Sequence, residues 1–314
     1  MSGALRVLAP GLLTTVQDSG RWGHQDIGVS VAGPMDPYAH RRANALVGNA
    51  RRAAALEVTL TGPLLHFDDD RTVAVAGAVF DLFLDEEPVP HERPVAVRAG
   101  AVLRFGTRRR GARAYLAVSG GIDLPEVLGS RSTHLPSRTG GLEGRALRRG
   151  DVLPVGCMSS APGRSPIPAL AEPATDDAAV VRVMAGPDLE RFMPEALEAL
   201  VSAPYHVSVD SDRMGFRLAG PRLQHRAGAD ILSDATPFGT LQVPASGQPV
   251  LLMADRQTTG GYARLATVIS ADLGIAAQAA PGDALRFALC GRAEALRALV
   301  HRERPLLALE GDQS

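Results

Sequence analysis

Along this chain the hydrophobic positions mostly alternate with polar ones in short runs broken by glycine, the period of half-buried strands. Residues 71–85 (RTVAVAGAVFDLFLD), 93–106 (RPVAVRAGAVLRFG), 113–123 (RAYLAVSGGID) and 179–186 (AVVRVMAG) are rich in β-branched residues and predict strands. Between two of them, TRRRGAR (107–113) predicts the exposed tip of a hairpin. A short motif recurs as GAVLRF (100–105), GDVLPV (150–155) and GDALRF (282–287), each a turn glycine feeding a strand. Helical spacing is rarer. In DPYAHRRANALVGN (36–49) Asp36 is placed to cap and Pro37 to occupy the first helical position, with Ala39, Ala43, Leu46 and Val47 on one face and Gly48 closing the helix. PEALEALV (194–201) and RAEALRALVHR (292–302) predict two more helices. The pattern describes a mainly β fold with a few short helices.

CMSSAPGRSPIPALAEPATDDA (157–178), with four prolines and much Ser and Ala, has the composition of a linker. It divides the chain into expected lobes of residues 1–156 and 179–314. The halves echo each other: VAGPMDPYAHRRANALV (31–47) resembles MAGPDLERFMPEALEAL (184–200), and LTGPLL (60–65) resembles LAGPRL (218–223). Two β-rich halves of related fold would produce such an echo.

Three stretches stand out chemically. TTVQDSGRWGHQDIG (14–28) sets Gln17, Asp18, Arg21 and His24 on a glycine-broken loop able to surround a small ligand, or else to brace itself through Asp18 and Arg21. GSRSTHLPSRTGGLEGRALRRGD (129–151) carries Arg131, Arg138 and Arg145, which can fork onto a carboxylate or phosphate or simply face solvent. In QPVLLMADRQTTGGY (248–262) a continuous apolar run, as expected of a strand buried on both faces, ends at Asp255. Gln257 then offers an acceptor and two donors in one plane; Thr258, Thr259 and Tyr262 both donate and accept. Gly260 and Gly261 let backbone N–H groups approach a developing oxyanion. This inventory suits a planar amide, urea or lactam; the alternative is a turn that braces the fold. No Gly-x-Ser-x-Gly elbow and no metal-spaced histidine cluster is present.

The 314 residues suffice for one large or two medium domains, with an ordinary globular composition. A net charge of −1 gives no support for nucleic-acid binding. No apolar run matches a membrane span, the N-terminus lacks the pattern of a signal peptide, and Cys157 and Cys290 form no disulfide framework; a cytoplasmic protein with reduced thiols is expected. Lysine is absent, so all 33 basic residues are arginine. That excludes a Walker A lysine, a Schiff base and a biotinylated lysine on this chain, and leaves anion binding to arginine, backbone N–H groups or helix N-termini.

GLLTTVQDSGRWGHQDIGVSVAGPMDPYAHRRANALVGN, ALEVTLTGP, SDRMGFRLAGP and LQVPASGQPVLLMADRQTTGGYARLATVISADL resemble the allophanate hydrolase subunit 2 family, also called the biotin-dependent carboxyltransferase family. The resemblance covers residues 5 to 290 in order. Its bacterial members include the C component of a three-part 5-oxoprolinase and an antagonist of a sporulation-kinase inhibitor. It implies two cyclophilin-like β-barrel lobes, a subunit-B-like partner (the kinase-inhibitor KipI type) and a subunit-A-like partner. The implied reaction is ATP-dependent opening of the 5-oxoproline lactam to glutamate, with ATP bound together with partner subunits and any biotin carried elsewhere. Catalytic roles are expected for Asp255, Gln257, Thr258 and Tyr262, and substrate contacts for Gln17, Asp18, Arg21, Arg213, Gln242, Gly260 and Gly261. In that picture Asp255 orients or deprotonates a substrate nitrogen while Arg213 or Arg21 neutralises an anion. The alternatives are a regulatory protein without catalysis and a component of a urea- or allophanate-type carboxyltransferase. Phe238 and Thr240, in SDATPFGT, depart from the family pattern at the expected pocket rim.

Overall fold

The computed structural model describes residues 3–158 and 178–311; the expected linker, 157–178, lies outside them apart from Cys157, Met158 and Ala178. The described chain packs as two compact units, one of residues 3–22, 32–158 and 303–311, the other of residues 23–31 and 178–302. Both are built mainly from strands.

The first unit holds β1 (Ala4–Ala9), β2 (Leu13–Gln17), β3 (Ala55–Thr59), β4 (Leu64–Phe67), β5 (Arg71–Leu84), β6 (Glu87–Val89), β7 (Val95–Val97), β8 (Val102–Val118) and β9 (Val152–Pro154), with helix α1 (Pro37–Leu46). Its sheet runs β2-β3-β8-β4-β1-β9, while β5 pairs along β8 and with β6 and β7; the sheet curls as a half-barrel. The 17-residue β8 is long enough to pair with β4 at its start and β3 at its end. TRRRGAR is therefore not a hairpin tip but the middle of this strand. The β5–β8 register shifts between Gly77 and Leu82, a bulged stretch where Gly111 adopts φ +71°. Arg109 there points outward and forks onto Asp81. The three recurrent turn glycines behave alike: Gly100, Gly150 and Gly282 all have φ near +90°, and each precedes its strand by two residues.

Helix α1 begins as expected, with the Asp36 carboxylate accepting from the Ala39 N–H and Pro37 following it. It lies on β5 and β8, where Ala43, Leu46, Ala74, Ala76 and Tyr115 form one apolar cluster. Leu306 and Leu309 of α4 (Arg292–Gly311) belong to the same cluster. The sequence pattern ended this helix at 302; it instead continues through Pro305. Proline removes one helical hydrogen bond. The burial of two leucines, each contributing about 1.5–3 kcal/mol, offsets that loss, as do the forks of Arg41 onto Glu303 and Glu310 at 2.7 and 2.8 Å.

Beneath α1 runs a buried polar chain. The Tyr115 hydroxyl donates to Glu57 Oε2 at 2.7 Å and accepts from the Asp36 N–H at 2.8 Å, while the Met35 N–H donates to the same Glu57 oxygen. Burial first, then the neighbouring Glu57 charge, hold the Tyr115 hydroxyl well above its ordinary pKa, so it remains a donor.

The second unit holds β10 (Ala179–Ala185), β11 (Tyr205–Val207), β12 (Gly215–Ala219), β13 (Asp230–Ala235), β14 (Thr240–Gln242), β15 (Val250–Leu252), β16 (Thr259–Tyr262), β17 (Arg264–Val268) and β18 (Ala284–Leu289), with α2 (Ala196–Ser202) and α3 (Leu273–Ala277). Seven strands close a barrel in the order β10-β17-β14-β15-β12-β11-β18, and the parallel pair β18–β10 completes it. Val181, Leu218, Leu241, Leu251 and Phe287 of its strands are all nearly fully buried, and Val181 pairs with Phe287 and Leu241 with Leu251 across neighbouring strands. β13 and β16 form a separate two-stranded ribbon. The five-residue α3 was not foreseen: its apolar run of Leu and Ala reads equally well as strand or helix, and length alone separates the two.

Replacing Tyr115 by Phe leaves Glu57 and the Asp36 N–H each short of one buried partner. The expected result is a loss of about 1–3 kcal/mol, measured by urea unfolding, with the native fold retained.

Candidate functional site

The tract after β15 is pinned on several sides. Leu251 through Asp255 are all buried, as the continuous apolar run implied. The N–H groups of Met253 and Asp255 donate to the carbonyls of Met214 and Arg213 at 2.9 and 2.8 Å. The Arg213 side chain then forks onto Asp255, Nε to Oδ2 and Nη2 to Oδ1, both at 3.0 Å, with both residues buried. The expectation set Asp255 against a substrate nitrogen and Arg213 against a substrate anion; here each neutralises the other. A second clamp comes from the segment before β14. Arg256 Nε donates to the Thr236 carbonyl, the Thr236 hydroxyl donates to the Gln257 carbonyl, and the Thr236 N–H donates to the Thr258 carbonyl. Ser30 adds a third, its hydroxyl reaching the Arg256 carbonyl at 2.9 Å.

With its backbone so held, Gln257 directs its carboxamide to Gln242, Nε2 to Oε1 at 3.4 Å, and Gln242 donates to the Tyr262 carbonyl at 3.2 Å. Gln242 sits where the β14–β17 register shifts, a bulge that re-aims its side chain. A Cβ at Gly260 would lie 2.6 Å from Gln242 Nε2 and 3.2 Å from Gln257 Nε2, so any side chain there would displace the two carboxamides. Gly261 has more room, its nearest such contact being 3.6 Å. Gln242, Gln257 and Tyr262 line a cavity of about 540 Å³, together with Asp212, Met214 and Arg217. Carboxamides, a phenol and a guanidinium over an aliphatic floor from Met214 and Leu252 can bind a small flat molecule with C=O and N–H edges.

Of the eleven site residues expected from sequence, eight lie in the second unit and three, Gln17, Asp18 and Arg21, in the first. The loop carrying these three is knitted to residues 127–133. Asp18 accepts from the hydroxyls of Ser130 and Ser132 and the N–H groups of Arg131 and Gly20. Burial alone would raise its pKa; those four hydrogen bonds outweigh burial and hold the carboxylate below its ordinary value. Arg21, buried, donates to the carbonyls of Val127 and Ser132 at 2.8 and 2.9 Å. Gln17 donates to Thr133 and Thr15, while its buried Oε1 has no hydrogen-bond partner. Arg131 and Arg145, considered above as anion clamps, fork instead onto Asp123 and Glu126 and onto Glu143 and Asp151. Among the described residues no cluster of three or more His, Cys, Asp or Glu can hold a metal, and no helix is long and apolar enough to cross a membrane.

Thr236, Arg217 and Asp212 escaped the sequence reading. Arg217 and Asp212 are separated from Gln257 by forty residues or more, and only the pairing of β12 with β15 brings these segments together. The one available signal was SDATPFGT, which contains Thr236.

A model of the carboxyltransferase domain, subdomains A and B, matches residues 27–289. The chain belongs to the carboxyltransferase family. It is 39% identical over 300 residues to the C component of 5-oxoprolinase from Escherichia coli (strain K12), covering 96% of each chain. It is 36% identical over 304 residues to urea amidolyase of Saccharomyces cerevisiae, covering 90% of this chain but 16% of that longer protein. The crystal structure of the K. lactis urea amidolyase superposes with a TM-score of 0.91 at 33% identity, over 98% of this chain and 20% of that one. Membership in the carboxyltransferase family accounts for the mainly β architecture in both units.

Two substitutions probe how this carboxyltransferase-family chain is held. Asp255→Asn removes the charge that the buried Arg213 forks onto and is expected to cost about 3–5 kcal/mol; partial restoration by a second change, Arg213→Met, is expected in the denaturation midpoint. Asp18 has a depressed folded pKa, so its contribution is fully present above the ordinary carboxylate value of 3.8 and is lost as pH falls below it. Asp18→Asn is therefore expected to be less stable than wild type at pH 7, with the gap narrowing on acidification below about pH 4, as read by thermal unfolding across pH.

Proposed function

We propose that this chain is the C component of a multi-subunit, ATP-dependent 5-oxoprolinase and takes part in opening 5-oxo-L-proline to L-glutamate. The observation that carries the reading is the end-to-end likeness to a protein named as that component of 5-oxoprolinase, at 39% identity over 96% of both chains. The cavity chemistry supports it. A lactam presents one C=O and one N–H on adjacent atoms of a ring, and Gln257 and Gln242 present complementary amide edges on one wall.

In this reading Gln257, Gln242, Tyr262 and the Gly260–Gly261 backbone contact the lactam. Asp255 and Arg213 are positioning residues, because their fork fixes the turn from which Gln257 projects. Thr258 anchors the ribbon through its carbonyl. The net reaction consumes ATP and two waters and yields glutamate, ADP and phosphate. Phosphorylation of the lactam oxygen by ATP converts a poor electrophile into one that water attacks; the ring nitrogen then departs as the amine, leaving a γ-glutamyl phosphate, and the second water hydrolyses that acyl phosphate to glutamate and phosphate. With no lysine and no phosphate loop in this sequence, ATP is bound together with partner subunits, and any biotin is carried on another chain. The partners are subunit-B-like and subunit-A-like proteins, and the assembly works in the cytoplasm.

A second reading, transfer of a carboxyl group to urea, is favoured by the superposition on urea amidolyase. Reconstitution with the subunit-A-like and subunit-B-like partners separates the two. The complex is expected to hydrolyse ATP when given 5-oxoproline and not when given urea, and Gln257→Ala is expected to lower kcat/KM about 10- to 100-fold, the worth of one or two hydrogen bonds strengthened in the transition state. A complex that turns over urea but no 5-oxoproline would contradict the proposal.

A further inference from the structure

We propose that Thr236 is a positioning residue of this site: its hydroxyl sets the direction of the Gln257 carboxamide, and removing that hydroxyl costs catalytic rate and leaves substrate affinity in place. The inference rests on the amide-binding reading above and deepens it by adding a residue that acts without touching substrate.

Thr236 lies between β13 and β14 and is buried. All three of its polar groups are spent on consecutive residues of the tract after β15. Its carbonyl accepts from Arg256 Nε at 2.7 Å, its hydroxyl donates to the Gln257 carbonyl, and its N–H donates to the Thr258 carbonyl at 3.1 Å. The N–H bond extends the β13–β16 ladder one step beyond the Ala235–Thr259 pair. A ladder bond is open to every residue except proline. The hydroxyl bond is not: it reaches one residue further back, and only a side chain with an O–H at this place can make it. Arg256 completes the clamp as a strut, since its Nη1 also donates to the Met253 carbonyl at 3.3 Å and its guanidinium carbon lies 5.4 Å from the centroid of the Phe238 ring.

The Gln257 side chain itself is weakly tethered. Among the described residues its carboxamide makes one hydrogen bond, to Gln242 at 3.4 Å, long for an N–H···O contact. A bond that long does not fix a flexible side chain; the backbone from which the side chain springs does. Thr236 bears on Gln242 as well, because both lie on one held segment. Along it the Thr240 hydroxyl donates to the Pro237 carbonyl at 2.8 Å and the Gly239 N–H donates to the Leu252 carbonyl at 2.9 Å. The Thr236 methyl sets a steric limit on the other side: its Cγ2 lies 3.0 Å from the place a Cβ on Gly260 would take. Methyl, glycine and both carboxamides therefore form one close-packed group at the cavity wall. A donor that must strengthen its bond as charge develops on a lactam needs accurate placement, and a shift of about 1 Å costs on the order of 100-fold in rate.

The test compares two substitutions. Thr236→Val keeps the shape and removes only the O–H; Thr236→Ser keeps the O–H. In the reconstituted complex, assayed below every variant's unfolding midpoint, Thr236→Val is expected to lower kcat for 5-oxo-L-proline about tenfold with KM within about threefold of wild type. Thr236→Ser is expected to keep kcat within about threefold of wild type. A hydroxyl that acts through Gln257 has nothing to act on once that side chain is gone. In a Gln257→Ala background Thr236→Val is therefore expected to change kcat by no more than about twofold. Losses that multiply, a serine variant as slow as the valine one, or a loss carried by KM alone would overturn the assignment. A second readout needs no turnover. In the full wild-type chain the NMR signal of the Gln257 side-chain amide is identified by its absence in Gln257→Ala. It is expected to move toward the position of a free glutamine amide in Thr236→Val and to stay in place in Thr236→Ser. A signal unmoved by the valine overturns the role of Thr236. A signal that moves as expected in a chain whose complex leaves 5-oxoproline intact supports that role and counts against the proposed reaction alone.

Discussion

The geometry of this protein's second unit depends on one buried fork, Arg213 onto Asp255. Two charges taken from water recover that cost only when the pairing is close and their remaining hydrogen-bonding capacity is met. Both 3.0 Å contacts and the backbone bond from the Asp255 N–H to the Arg213 carbonyl meet that requirement. The fork ties the end of β15 to the segment entering β12, so the following residues leave the barrel in a fixed direction. Everything proposed for Gln257 and Gln242 relies on that direction.

The first unit shows the same economy around another carboxylate. Asp18 collects four donors from the loop at 130–132 and its own Gly20, and Arg21 ties two carbonyls of the same loop. These groups are satisfied within the chain, so they shape a surface and do not themselves carry out chemistry. Gln17 stands apart because one oxygen is buried without a donor, a costly state in a finished protein and a natural one in a subunit that meets a ligand or partner.

Much of the fold was legible because its local signals agree with its tertiary structure. Asp36 and Pro37 start α1, the three turn glycines each launch a strand, and the apolar run 251–254 lies buried as a two-faced strand should. The failures are equally physical. TRRRGAR reads as a tip because arginines and a glycine are polar and turn-prone, yet pairing of β5 with β8 carries the strand through them with a bulge. Pro305 reads as a helix end because proline lacks an N–H, yet Leu306 and Leu309 have an apolar cluster to join. In the candidate site, the residue types around Gln257 pointed to amide recognition, but the identity of Asp255's partner did not lie in the neighbouring sequence. Arg256 is adjacent and Arg213 is 42 positions away, and only the barrel decides between them. The fold class and the family thus come through in the chain's pattern, whereas the assignment of charges depends on contacts between distant segments.

The central claim is that a small acidic lactam binds in the second-unit cavity beside the Arg213–Asp255 fork. The most direct measurement is a crystal structure of the assembled complex with 5-oxo-L-proline bound. The lactam edge is expected within hydrogen-bond distance of Gln257, with the Arg213–Asp255 fork intact. A ligand seated elsewhere, with Gln257 and Gln242 still bonded only to each other, would contradict it.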